Sequence, residues 1–360
     1  MRVVVAPDSF KGTLGAHDVA RAIAEGWASV RPSDELVVLP QADGGEGSLE
    51  AVERSVPGAV RRSAGRVTGP DGRPVDGVWL ELPDGTAVVE LALSSGLPLM
   101  REPDPRGATT RGLGEVIAAA VAAGATSVVV ALGGSASTDG AAGALRALGL
   151  SLLDSDGIEL ADGGADLARL ARADASRLVP APAGGAILLT DVTAPLLGEH
   201  GAAAVFGPQK GAGPDDVRDL DAALARFHEV VGGDAAAPGA GAAGGSGFGL
   251  AAMWGARIVP GARYLAGLTG ADGALEGADL LITGEGSFDG QSLTGKVVGT
   301  LVELAGEHAV PVHVIAGRVA LETDLATTSL TDLAGSADAA MTATAHWVRE
   351  AAAAAARRLG

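Results

Sequence analysis

The sequence contains no cysteine, which excludes disulfide frameworks, thiolate metal sites and a cysteine nucleophile. Positive charge is also scarce: 26 Lys and Arg stand against 44 Asp and Glu, a formal net charge of −18 over 360 residues. A surface of that sign repels phosphate backbones and anionic lipid headgroups, so neither nucleic-acid binding nor membrane attachment is expected. Any anionic ligand must find local positive charge. Mean hydropathy is +0.29, but alanine supplies it, and no run of about 18 uninterrupted apolar residues exists to span a bilayer. Residues 1–7 hold only a short apolar run without a cleavage-like site, and they read as a first β-strand in a cytoplasmic protein rather than as a signal peptide. The six histidines show no metal-ligand spacing, and nothing resembles a Ser/His/Asp triad. No internal repeat is present. The length suits two domains, because single cores stop growing at roughly 250–300 residues.

What is present is a recurring unit. Short β-branched runs at 3–6, 36–39, 128–132, 187–190, 280–283 and 312–315 each lead into a Gly- or Asp-rich stretch. Ala-rich helical patterns follow, which is the signature of βα units and of a mainly parallel sheet flanked by helices. The first helix is expected from about Ala16, with Val19, Ile23 and Trp27 on one face. Residues 61–91 differ: turn signals at 68–72 and 83–85 separate short alternating strands, which predicts antiparallel hairpins. Residues 235–249 are almost all Gly and Ala, and they read either as a flexible linker or as the lead into a helix over 250–258. The Ala- and Arg-rich end, 340–359, predicts a terminal helix.

Lysine occurs three times, at Lys11, Lys210 and Lys296, each beside glycine, whereas arginine occurs 23 times. Lysine kept in Gly-rich loops suggests a compact ammonium set against phosphate or carboxylate oxygens, although three chance survivors would look the same. The loops 43–47 (DGGEG) and 133–137 (GGSAS) fit anion-binding turns of backbone N–H groups, or ordinary tight βα turns. In open α/β sheets, such loops converge at the carboxyl ends of the strands. Asp8, Asp43, Asp139, Asp191, Glu285 and Asp289 all lie just past strand ends. Each alone reads more readily as a helix cap or turn residue; as a set beside three lysines they suit phosphoryl transfer, which needs positioning, Mg²⁺ and positive charge. Two nucleotide signatures are incomplete. Gly290 to Lys296 has P-loop spacing, but Val297 replaces the magnesium-binding Ser or Thr, and the stretch 283–290 separates it from its strand. Gly239-x-Gly241-x-x-Gly244 matches a dinucleotide fingerprint by letter only, since no strand precedes it.

Residues 6–12 (APDSFKG), 42–47 (ADGGEG), Asp191-Val192-Thr193, 206–212 (FGPQKGA) and 284–291 (GEGSFDGQ), in that order, closely resemble the bacterial glycerate kinases of type 1. The resemblance runs from about residue 3 to 300. It implies ATP- and Mg²⁺-dependent phosphorylation of D-glycerate, usually to 2-phosphoglycerate, by a monomer or homodimer. The fold it implies is α/β: a Rossmann-like parallel-sheet domain (1–60, 100–135, 275–360) and an inserted α/β domain (61–99, 136–274), with the active-site cleft between them. It further implies Asp191 as the base on the acceptor hydroxyl, with Lys11 and Lys210 neutralising phosphoryl or carboxylate charge. Asp43 and Glu285 would hold Mg²⁺, and Asp8, Ser9, Gly44, Gly45, Gly133, Gly134, Ser135 and Lys296 would bind substrate or phosphate. This chain departs from the family pattern at Arg111 (commonly Tyr), Thr138 and Ala194 (Asn) and Ser287 (Arg), which leaves a kinase for another small hydroxy acid, or a non-catalytic binder of an anionic metabolite, as alternatives.

Overall fold

The structure, a computed structural model, describes residues 1–359. It divides into two compact units: Met1–Asp43, Glu50–Pro57 and the chain from Pro260 on form the first, and Gly44–Leu49 with Gly58–Val259 the second. Strands are numbered β1 to β13 along the chain.

The first unit is built on a fully parallel five-stranded sheet of order β13-β12-β11-β1-β2. Its strands are β1 (Arg2–Val5), β2 (Glu35–Val38), β11 (Leu280–Phe288), β12 (Val312–Val319) and β13 (Ala326–Ser329). Successive side chains leave a strand on opposite faces, so both faces of the apolar runs need cover. Val3, Val5, Ile282 and Ile315 pack against the helices Ala16–Ala28 and Thr344–Arg357, whereas Val4, Ala6 and Leu281 pack against Gly261–Leu268, Ala271–Leu275 and Val297–Glu307. This three-layer arrangement explains why the strands read as continuous hydrophobic runs instead of alternating ones. The helix Ala16–Ala28 buries the expected stripe: Val19, Ile23 and Trp27 are all fully buried.

The second unit carries a six-stranded mixed sheet of order β10-β9-β6-β5-β4-β3. The expected hairpins are there, with β3 (Val60–Thr68), β4 (Pro74–Glu81) and β5 (Thr86–Glu90) pairing antiparallel. β5 then pairs in parallel with β6 (Ser127–Ala131), β6 with β9 (Ala186–Leu189), and β9 with β10 (Arg257–Val259). A small antiparallel pair, β7 (Ser151–Leu153) and β8 (Arg172–Asp174), lies apart from it.

Two expectations are corrected. Residues 100–135, expected in the first domain, belong to the second unit because β6 is hydrogen-bonded between β5 and β9; residues 260–274 belong to the first, where Ala262 and Ala266 cover Val4 and Ala6. The Gly/Ala stretch is no linker. It enters the helix Ala242–Trp254, which Ala243, Gly244 and Gly245 interrupt in left-handed conformation. A Cβ on Gly244 would lie 2.1 Å from the Ser137 carbonyl oxygen, and one on Gly249 would lie 1.8 Å from that of Gly140. Glycine is required there by backbone packing against backbone. Among the described residues, no helix is long and apolar enough to cross a membrane.

Candidate active site

At the carboxyl end of the first unit's sheet lies a cavity of about 390 Å³. The chain beyond β1 keeps alongside β11, with Ala6 N–H donating to Ile282 O (2.8 Å) and Asp8 N–H to Gly284 O (2.9 Å). Asp8 is thereby held at the strand end. A tight turn follows, in which the N–H groups of Thr13 and Leu14 return to Phe10 O, and Lys11 projects from its apex. β11 contributes Glu285 and Ser287, and β12, in register beside it, contributes Arg318 opposite Ser287. Asp8, Ser9, Lys11, Asp43, Glu285 and Lys296 all line this one cavity.

The electrostatics of this end are unusual for an acidic protein. Loss of water, then the charge of Asp43, pushes the Asp8 carboxyl up to about 7, although the Ser9 N–H at 2.6 Å pulls the other way. Burial also raises Glu285, with Asp289 adding repulsion. Lys11 sits with Nζ 3.7 Å from Asp43 Oδ2, and that carboxylate raises the lysine further. The lysine is 77% exposed, so the pair is weak as a stabilising contact and free to exchange partners. Glu285 Oε1 is buried with no hydrogen-bond partner. Asp8, raised by its two carboxylate neighbours Asp43 and Glu285, and Glu285, with an orphaned buried oxygen, put oxygen donors suited to a hard divalent cation at this end. Among the described residues, no three His, Asp or Glu side chains form a ready-made metal cage; magnesium commonly takes only one or two carboxylates, together with water and substrate phosphates.

Asp289 lines the cavity as well, and the remaining residues singled out in the sequence lie in the second unit. Gly133 and the 44–45 turn are pressed together: Gly133 N–H donates to Gly44 O (3.0 Å), and a Cβ on Gly133 would fall 2.3 Å from Gly45 Cα. Gly134 has φ +77° and its carbonyl accepts from Leu97 N–H (2.9 Å). Close backbone approach therefore accounts for Gly133, and the left-handed backbone for Gly134. Lys210 is only 2% exposed, and its Nζ donates to Ser135 Oγ at 3.0 Å and to the Ser137 carbonyl. Burial lowers it to about 7, with Asp139 acting in the opposite sense. Its ammonium is thus turned into the 135–137 loop and not to solvent. Asp191 lies two residues beyond β9 and is half-buried.

The P-loop comparison needs correction. β11 runs to Phe288, well past residue 283, because Ser287 and Phe288 pair with Arg318 and Val319 on β12; the helix Val297–Glu307 begins directly after Lys296. The segment therefore does join a strand to a helix, but Val297 lacks the hydroxyl of that motif, and the N–H groups of Gln291, Ser292 and Thr294 donate within the loop. Sequence reasoning also passed over Arg318, whose signal was available: Gly317-Arg318 ends an apolar run just as the other loops do. Phe10, Leu330, Thr331, Met341 and Thr344 also line the cavity, and no chemical signature marks such residues in a sequence.

A fold of parallel sheets whose strand-end cavity gathers carboxylates and lysines is the frame of a small-molecule phosphotransferase. The model of the glycerate kinase family matches residues 3–360, and the chain belongs to that family of phosphotransferases. It is 41% identical over 328 residues to the glycerate 2-kinase of Escherichia coli K12, covering 89% of this chain and 86% of that one. To the glycerate kinase of Bacillus subtilis 168 it is 39% identical over 333 residues, covering 90% and 87%. A crystal structure described as glycerate kinase 2 of Salmonella typhimurium LT2 superposes with a TM-score of 0.85 at 36% identity, covering 100% of this chain and 98% of that one.

Proposed function

We propose that the protein transfers the γ-phosphoryl group of ATP, with Mg²⁺, to a hydroxyl of D-glycerate, giving 2-phosphoglycerate. The observation that carries this reading is the strand-end cavity, where Asp8, Asp43 and Glu285 stand among Lys11, Lys296 and Arg318 in a chain of the glycerate kinase family. Asp43 and Glu285, with water and phosphate oxygens, would hold Mg²⁺, which when bound neutralises phosphate charge and orients the transferring group. Lys11 and Lys296 supply ammonium donors to phosphate oxygens, and the loose Lys11–Asp43 pair lets Lys11 move onto an incoming anion. Ser287, where the family pattern has arginine, does not leave the cavity without a guanidinium, because Arg318 Nη2 lies 3.5 Å from Ser287 Oγ. Asp191 remains the proposed base on the acceptor hydroxyl. Lys210 is a positioning residue on this reading, its buried ammonium fixing the 135–137 loop.

The test is ADP release against a panel of short hydroxy acids. D-Glycerate should be turned over at about 1–100 s⁻¹, the usual range for kinases. Ligand-induced stabilisation with ADP at background would mark a binder, and preference for another acid would move the acceptor assignment.

A further inference from the structure

Asp43 belongs to no strand or helix. The chain around it runs from the end of β2 at Val38 to the helix Ser48–Ser55, yet Asp43 lines the same cavity as Asp8. Its place must therefore be set by contacts other than those of secondary structure. β2 ends the sheet next to β1. Past the last paired residues the parallel ladder goes on, with Leu39 N–H donating to Val5 O at 2.8 Å and Gln41 N–H to Pro7 O at 2.9 Å.

One rung of that ladder is missing. In a parallel pair, a residue whose N–H reaches across also offers its carbonyl to the N–H two residues further along the partner. For Leu39, which bonds Val5, that donor is residue 7, and residue 7 is proline, which has no N–H. A side chain takes the vacant place. Gln41 Nε2 donates one proton to Leu39 O at 2.9 Å and the other to Thr269 Oγ1 at 2.9 Å. Thr269 follows directly on the helix Gly261–Leu268, and its own proton goes to Leu265 O at 2.8 Å. A backbone carbonyl can only accept, so the orientation of the amide is determined. Gln41 is 2% exposed. A buried amide with both protons committed makes a fixed point two residues before Asp43.

We propose that Gln41 is a positioning residue for the divalent cation: it supplies the donor that Pro7 lacks, joins the chain to Thr269, and so holds the segment that presents the Asp43 carboxylate. The proposal rests on the kinase reading for the metal and goes beyond it in naming what builds the metal's side of the cavity. Neither Gln41 nor Thr269 has any chemistry of its own in phosphoryl transfer; both act through Asp43.

The experiment uses Mn²⁺ alone as the probe metal, its binding to the full chain followed by electron paramagnetic resonance, which needs no turnover. Gln41→Met keeps the stem and removes both donors, and it should weaken Mn²⁺ about tenfold or more, the usual cost of losing a group that orients a metal ligand. Thr269→Val, which removes one of the two partners of Nε2, should weaken it in the same direction and serves where Gln41→Met does not fold. Two further chains separate positioning from stability. In an Asp43→Asn background, Gln41→Met should change Mn²⁺ binding by less than about twofold, because the ligand through which it acts is gone. Pro7→Ala restores the missing N–H, and added to Gln41→Met it should recover part of the lost affinity. Unchanged Mn²⁺ binding in both Gln41→Met and Thr269→Val, an equal loss with and without the Asp43 carboxylate, no recovery by Pro7→Ala, or a wild type that binds no Mn²⁺ would overturn the proposal. Loss of affinity through Asp43 in a chain that forms no ester from D-glycerate would leave the proposal standing and remove the kinase reading; ester formed by a chain whose Mn²⁺ affinity ignores Gln41 would do the reverse.

Discussion

Burial of Lys210 sets a proton equilibrium that can be measured. Its value of about 7 lies below the 10.5 of an exposed lysine. The unfolded chain therefore binds more protons than the folded one between those values, and stability should rise with pH across that window. The difference in melting temperature between the wild type and Lys210→Met should grow in favour of the wild type from pH 7 to 10; a pH-independent difference would place the lysine in a solvated, ordinary environment. For Asp191, the expected result is kinetic. Asp191→Asn should keep the wild-type melting temperature and lose roughly 10²–10⁴-fold in kcat, the usual contribution of a general base, and near wild-type kcat would leave it a turn residue. What was legible in the sequence was the grouping of charged residues at strand ends, not the use of any one of them: Asp8, Lys11, Asp43, Glu285 and Lys296 line a single cavity. Lys210 was equally conspicuous, yet its burial was not visible, because nothing local in GPQKGA says which way the side chain turns.

Among elements, the strands were the easiest to read and their ends the hardest. β11 outruns its apolar segment as an extension, GEGSF, paired along its length with β12, and pairing partners are not written in a local pattern. β12 also buries His313, which is 6% exposed with Nε2 2.9 Å from Thr328 Oγ1. Burial first, then the charge of Arg358, lowers the ring to about 4. The imidazole is thus kept neutral in the fold, and its contribution is present above about 6.5 and lost as pH falls towards 4. His313→Gln should reduce the drop in melting temperature between pH 7 and 4.5, and an unchanged drop would contradict the burial. The Gly/Ala stretch teaches the opposite lesson about composition. A flexible linker and a backbone-on-backbone crossing both demand glycine, and only the long-range contact tells them apart. Gly249→Ala, pressing a methyl onto Gly140 O, should cost about 2 kcal/mol or more in urea unfolding; a linker position would tolerate it within about 0.5 kcal/mol.

At the scale of the whole chain, the repeating βα pattern identified an α/β protein but not how many sheets it makes. β1, β2, β11 and β12 went to one sheet and β6 and β9 to another, a sorting that hydrophobic runs of the same composition cannot encode. The order of the motifs along the chain identified the family more sharply than it located the domain boundaries. The account's central claim is phosphoryl transfer to glycerate, and the most direct measurement is ³¹P NMR of the protein with D-glycerate, ATP and Mg²⁺. The prediction is a phosphomonoester resonance of 2-phosphoglycerate growing in step with ADP and abolished by EDTA. Intact ATP, or its conversion to inorganic phosphate with no ester formed, would contradict the claim.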